Sequence, residues 1–180
     1  MKVSQSSIPG VLVIESNILR DFRGEFRKIY HKPSFQELGI VDEFVEDFFS
    51  TSGRNIIRGC HFQTPPHSHA KLVSCFAGEV FDVVVDLRDG SPTFLQCESF
   101  TLSAENGLSI YIPQGCAHGF AVQGESATVF YKTSTIHNPD HDLGIRWDSI
   151  DIDWPVKDPV LSKRDQSFPT LKEFKTPFKF

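Results

Sequence analysis

From residue 43 to residue 135 the chain is a close succession of short strand-like segments broken by glycine and proline turns. The pattern supports strands at 43–48, 55–62, 71–76, 79–87, 94–102, 108–113, 118–123 and 127–135. Turn residues separate them at Asp89-Gly90-Ser91-Pro92, Asn106-Gly107 and Pro113-Gln114-Gly115. Many short strands with such punctuation close into a sandwich or barrel, because strand edges left open invite unwanted pairing. Upstream, Gly10–Ile14 and the alternating run Gly24–Tyr30 read as two further strands. Pro33–Gly39 reads as one short helix, with Ser34 as N-cap and Gly39 as its stop. After residue 137, prolines and two tryptophans break the rhythm, which predicts loops and turns wrapped around the barrel.

A length of 180 residues fits one domain, 1–180, with a core large enough to enclose a ligand. The net charge of −5 argues against a nucleic-acid binder, which would present a basic face. The N-terminus lacks the apolar run of a signal peptide, and no apolar stretch is long enough to span a bilayer. Cys60, Cys75, Cys97 and Cys116 are widely spaced, with no Cys-x-x-Cys pair. They are expected to be buried thiols of a cytoplasmic protein, not disulfides or metal ligands.

Alternation places Val80, Asp82, Val84 and Asp86 on one strand face and Phe81, Val83, Val85 and Leu87 on the other. The second face is expected to be core. The first is expected to be solvated or structurally paired, with a pocket lining as the alternative.

Two histidine arrangements carry chemical meaning. Arg58-Gly59-Cys60-His61-Phe62-Gln63, followed by Lys71, sets an imidazole near a cation. That pairing suits removal of a proton next to a carbonyl: the histidine takes the proton and the ammonium steadies the enolate oxygen. The segment Gly107 to His118 has the order Gly, five residues, Pro, one, Gly, two, His. It matches the second motif of cupins and implies a double-stranded β-helix jelly roll. A cupin could also hold a metal, with His67, His69 and His118 as ligands. The glutamate that usually follows is missing, since Val73 and Ser74 stand there, and Lys71 would repel a metal ion. His67 and His69 are therefore expected to be exposed loop histidines.

Further segments occur in a telling order. Asp21-Phe22-Arg23-Gly24-Glu25-Phe26 precedes the Arg58–Gln63 run, Lys71-Leu72-Val73 and the stretch Gly78–Arg88. Then come Ser91–Phe94, Leu102–Asn106, Ile112–Phe120, Tyr131-Lys132-Thr133, Ile152–Pro155 and Leu161–Asp165. From about residue 9 to about residue 169 this series resembles the dTDP-4-dehydrorhamnose 3,5-epimerase family. The resemblance implies a homodimer of jelly rolls acting on a nucleotide-diphospho-4-keto-6-deoxy sugar in deoxysugar biosynthesis for surface polysaccharide. It implies neither a metal nor an organic cofactor. His61 would be the base, Tyr131 the acid, Asp165 the partner of His61, and Lys71 the enolate stabiliser. His118 would contact the sugar, and Arg23 and Arg58 the phosphates. Gln63 belongs to the same implied binding set. An N-terminal strand that crosses to the partner is also implied, which leaves open whether Arg23 and Lys28 act in the neighbouring site.

Departures from the family pattern gather at its nucleotide end: Lys28, Glu46, Phe48, His137, Asp142 and Arg164. They replace charge and hydrogen-bonding character where discrimination is set. The expectation is conserved proton chemistry on an altered nucleotide or sugar. A CDP- or GDP-linked substrate and inversion at C3 or C5 alone are the alternatives. A metal-dependent cupin and a non-catalytic sugar-nucleotide binder are the readings from other classes.

Overall fold

A computed structural model describes residues 1–180. Eleven strands and two short helices follow in order: β1 (Lys2–Gln5), β2 (Leu12–Glu15), β3 (Ile18–Asp21), β4 (Gly24–Arg27), α1 (Lys32–Glu37), β5 (Glu46–Gly53), β6 (Ile57–Gln63), β7 (Lys71–Asp86), β8 (Cys97–Ser103), β9 (Leu108–Ile112), β10 (Cys116–Thr133), β11 (Asp142–Gly144) and α2 (Lys163–Ser167). No helix is long and apolar enough to cross a membrane.

The two long strands organise the rest. β7 and β10 pair antiparallel along nearly their whole lengths, from Cys116↔Asp86 to Thr133↔Lys71. Their register shifts between Gln123 and Val129, opposite Gly78. Gly78 has φ +70, and a Cβ there would lie 2.0 Å from the Ser126 carbonyl oxygen, so only glycine allows the approach. The bend sends the two halves of the pair into different layers. The half from Lys71 to Ser74 joins β9, β2 and β1, with β5 on the far side of β10. The half from Glu79 to Val85 joins β8, with β6 and then β11 beyond β10. The layers face each other as the jelly roll expected from the sequence.

Three apolar groups follow from this geometry. Val73, Val80, Val84, Leu102, Ile110, Phe120 and Val129 fill the interior. Val83, Val85, Leu87 and Phe62 point outward, yet are covered by Ile145, Ile150 and Phe178 of the C-terminal segment. Leu72, Ile14 and Tyr111 are covered by Phe35 of α1. Both faces of the Val80–Leu87 segment are therefore buried. Asp82 and Asp86 are fully enclosed and paired, Asp82 to His118 and Asp86 to Arg88, Ser91 and Thr93.

Several local expectations need correction. The segments 71–76 and 79–87 are one strand, as are 118–123 and 127–135, because the β7–β10 pairing resumes beyond the bend. β1, β3, β11 and α2 are additional elements, and β11 lies where only loops and turns were expected because it pairs with the edge of β6. Gly24–Tyr30 stops as strand at Arg27. The N-cap of α1 is His31, not Ser34, whose hydroxyl bonds the His31 ring instead. Cys97 is half-buried, while Cys60, Cys75 and Cys116 are buried, and all four are free thiols.

Candidate active site

The β6–β10 pairing contains the device that aims the principal histidine. His118 lies opposite His61 and Phe120 opposite Arg58, so three steps along β6 match two along β10. Simple alternation would put Arg58 and His61 on opposite faces. The extra residue turns both toward the interior and sends the Cys60 side chain into the outer core. Gly59 allows the close contact: its φ is +129, and a Cβ would sit 2.4 Å from the Gly119 Cα.

Between the layers at this end lies a cavity of about 230 Å³. β5 contributes Glu46, Phe48 and Ser50, β6 contributes Arg58 and His61, and β7 contributes Lys71. β10 adds His118, Phe120, Tyr131 and Thr133. His69, His137 and Asp142 complete the lining.

His61 Nε2 lies 2.9 Å from Asp165 Oδ1. Asp165 is buried near the start of α2; its backbone N–H donates to the capping Ser162 hydroxyl, and its second carboxylate oxygen accepts from Gly59 N–H. Burial pushes the Asp165 carboxyl up, but His61, the Gly59 N–H and Ser162 together hold it below its ordinary value. A carboxylate acceptor at Nε2 assigns the imidazole proton to that nitrogen and leaves Nδ1 available to take another. Phe168 packs edge-on to the ring, centroids 5.7 Å apart.

Lys71 is 7% exposed, and its Nζ donates to the His61 carbonyl at 3.1 Å. Burial lowers its pKa to about 8, against the raising influence of Asp142 and Asp82. Tyr131 is buried, which pushes its phenol well above the ordinary value and keeps it protonated. Its ring meets that of His118 edge-on at 5.9 Å. His118 Nε2 is 2.8 Å from Asp82 Oδ2, and burial raises the Asp82 carboxyl despite that neighbour. Arg58 donates through Nε to Ser52 Oγ at 2.8 Å. At the rim, Glu46 accepts from His137 N–H, and Asp142 meets both His137 and Arg164.

Most of the expected residues therefore meet in one place. Arg164 stands just outside, over the Phe168 ring. Gln63 does not line the cavity: its buried amide bonds the His67 carbonyl, the His69 ring and the Asn138 N–H, so its role is to brace loops. Arg23 and Lys28 also lie elsewhere, Arg23 paired with Asp21 in the β3–β4 hairpin and Lys28 lining a separate hollow beside His31. The hairpin pairs only with itself and exposes Leu19, Phe26 and a 99% exposed Phe22.

His67 and His69 are half-buried, not the exposed loop residues expected. They also diverge, His67 toward Asn138 and His141 and His69 into the cavity. No three His, Cys, Asp or Glu side chains converge in a geometry that could hold a metal ion. Sequence reasoning missed the cavity roles of His69, Ser50, Phe120 and Thr133 and the support from Phe168; for Asp82 it expected solvation or structural pairing, and His118 is the partner. The alternation of Asp82 with Val80 and Val84 was the one available signal.

A jelly roll whose interior holds a carboxylate-backed histidine, a buried lysine and a buried tyrosine defines a cupin-type sugar-nucleotide epimerase. Its relatives specify it further. Residues 5–173 match the family model of dTDP-4-dehydrorhamnose 3,5-epimerase, and the chain belongs to that family. It is 43% identical over 168 residues to the dTDP-4-dehydrorhamnose 3,5-epimerase of Shigella flexneri, covering 92% of this chain and 93% of the relative. The Legionella pneumophila dTDP-6-deoxy-D-glucose-3,5-epimerase, solved with dTDP-4-keto-L-rhamnose, superposes with a TM-score of 0.92 at 39% identity, covering 97% of this chain and 94% of that one. A 3'-monoepimerase from Streptomyces bikiniensis, solved with dTDP-quinovose, superposes with a TM-score of 0.87 at 31% identity, covering 93% and 86%.

Proposed function

We propose that this chain is a 3,5-epimerase of a dTDP-linked 4-keto-6-deoxyhexose, with residues 1–180 forming one catalytic domain. The supporting observation is that His61, backed by Asp165, shares one cavity with Lys71 and Tyr131. The 4-keto group acidifies the hydrogens at C3 and C5. His61 Nδ1 removes one of them, and the imidazolium that forms is stabilised by the Asp165 carboxylate. The electron pair moves onto the C4 oxygen, where the Lys71 ammonium, still mostly charged at neutral pH, receives the enolate. Tyr131 returns a proton from the opposite face and is then reprotonated by solvent, as His61 gives up its proton. The ketone reforms with the carbon inverted.

Arg58 suits the diphosphate, for which a guanidinium offers paired donors. His118, oriented by Asp82, suits a sugar hydroxyl. The relatives' names carry dTDP, which supports that nucleotide over the CDP and GDP alternatives raised by Glu46, Phe48 and His137. The isolated hairpin with its exposed Phe22 supports a homodimer in which Arg23 and Lys28 reach the partner's site. The proposed setting is the cytoplasm.

The test is proton NMR in deuterated water with dTDP-, CDP- and GDP-4-keto-6-deoxyglucose, using His61→Ala as control. Deuterium entering both C3 and C5 of the dTDP sugar, and lost in the control, is the expected outcome. Exchange at C3 alone would establish the monoepimerase reading, to which the Streptomyces bikiniensis relative gives a precedent. No exchange with any sugar would overturn the proposal.

A further inference from the structure

Two cavity-lining polar atoms, Ser50 Oγ and His69 Nε2, are buried without a hydrogen bond and unused by the mechanism just described; the histidine is the one whose proton can be located. Its tautomer follows from the neighbouring contacts. Gln63 Oε1 accepts from Asn138 N–H at 2.6 Å, which fixes the orientation of the Gln63 amide. The amide nitrogen then faces the His67 carbonyl at 2.8 Å and His69 Nδ1 at 3.2 Å. Nδ1 must accept, so the ring proton resides on Nε2. A buried donor left without an acceptor costs about 1–3 kcal/mol, a penalty that a ligand oxygen would relieve.

Position identifies the oxygen. His69 lies two residues before Lys71, and both side chains line the cavity. An ammonium and a neighbouring N–H both favour an acceptor that gains negative charge. In the epimerisation the C4 oxygen is the atom that does so.

We propose that His69 is a catalytic hydrogen-bond donor, its Nε2–H binding the C4 oxygen of the keto sugar beside the Lys71 ammonium. The inference rests on the epimerase reading above and adds a second donor to it. The environment keeps this donor neutral: burial, then Lys71, His137 and His118, lower the His69 pKa to about 3. A neutral imidazole keeps its Nε2–H throughout the working pH range and polarises a carbonyl without surrendering a proton.

The test compares wild type, His69→Leu and His69→Gln for turnover of dTDP-4-keto-6-deoxyglucose and for affinity toward dTDP alone. His69→Leu is expected to lower kcat by about 10²-fold, as loss of one oxyanion donor does, with dTDP affinity unchanged. His69→Gln, which retains an N–H donor, is expected to recover most of that loss. In wild-type protein, the His69 Nε2–H resonance is expected to move downfield with the keto sugar and to remain in place with dTDP. Full activity in His69→Leu would overturn the role while leaving the epimerase intact. So would a loss of dTDP affinity that accounts for the whole defect, which would place the contact on a phosphate. A resonance indifferent to the keto sugar would overturn it even if the leucine variant fails to fold. Wild-type protein without turnover would remove the epimerase reading itself, and the acceptor named here with it.

Discussion

Phe48 lies flat against Tyr131, ring centroids 4.7 Å apart and planes within 16° of parallel. The two residues are direct cross-strand partners in the β5–β10 ladder, so the stack is set by register. One side of the Tyr131 phenol is thereby walled by a ring that is itself 45% exposed.

Phe48→Ala removes that wall. The lost stacking is worth about 1 kcal/mol, which lowers Tm by about 2–4 °C in a chain of this size. Removal of the substrate proton by His61 is expected to continue, while correct reprotonation slows. Deuterium wash-in measured against product formation should show exchange outrunning inversion. An unchanged ratio would mean that Tyr131 is oriented without Phe48.

Asp165→Asn keeps an acceptor near His61 but loses the charge that stabilises imidazolium. A fall in kcat of about 10²–10⁴ is expected, with little change in dTDP affinity. Steady-state kinetics beside a dTDP titration separates the two effects.

Lys71 should show opposite signs in stability and activity. Its folded pKa of about 8 lies below the ordinary 10.5, so between those values the unfolded chain binds a proton that the folded chain has released. Stability contributed by this site therefore rises with pH across that window. At pH 7 the buried charge costs about 3 kcal/mol. Lys71→Met is expected to raise Tm at pH 7 while lowering kcat by about 10²–10³. Wild-type activity is expected to decline as pH climbs past about 8, when the ammonium discharges. Thermal melts and rate profiles from pH 6 to 10 check both signs.

Gly59→Ala should be among the most damaging single-methyl additions. The new Cβ would meet the β10 backbone in a conformation that side chains rarely adopt. A loss of at least about 3 kcal/mol is expected, with the His61–His118 register disturbed. Urea unfolding measures the first effect. Activity in protein that remains folded measures the second.

The sequence reading succeeded where information is local. Strand alternation, the Pro113–Gly115 turn and the His118 motif predicted a jelly roll, the Arg58–Gln63 run with Lys71 predicted the histidine beside a cation, and the rest of the cavity lining came from the family resemblance. The reading faltered where a residue's direction depends on a distant partner. Arg58 and His61 share a face only because β6 carries an extra residue against β10. The sequence pattern separates 71–76 from 79–87 and 118–123 from 127–135, yet β7 and β10 each run on through those breaks because the paired strands bend together. Gln63 sits inside a recognised motif, but its amide is committed to loop backbone, and that commitment is what fixes the His69 proton. Nothing local to Pro65-Pro66-His67-Ser68-His69 distinguishes a solvated turn from a cavity wall.

The unbroken course of β10 bears on how this site can diverge. His118 and Tyr131 belong to one strand but lie on opposite sides of its bend, each like a mark on a ruler clamped by its own stretch of pairing with β7. A displacement of either half would break the ladder that holds it. Groups around the sugar carbon cannot readily be retuned one at a time by backbone adjustment. His137, outside the long strands, and Asp142, on the three-residue β11, have no such tether. Substrate preference can drift at the rim while the stereochemical frame beneath it stays fixed.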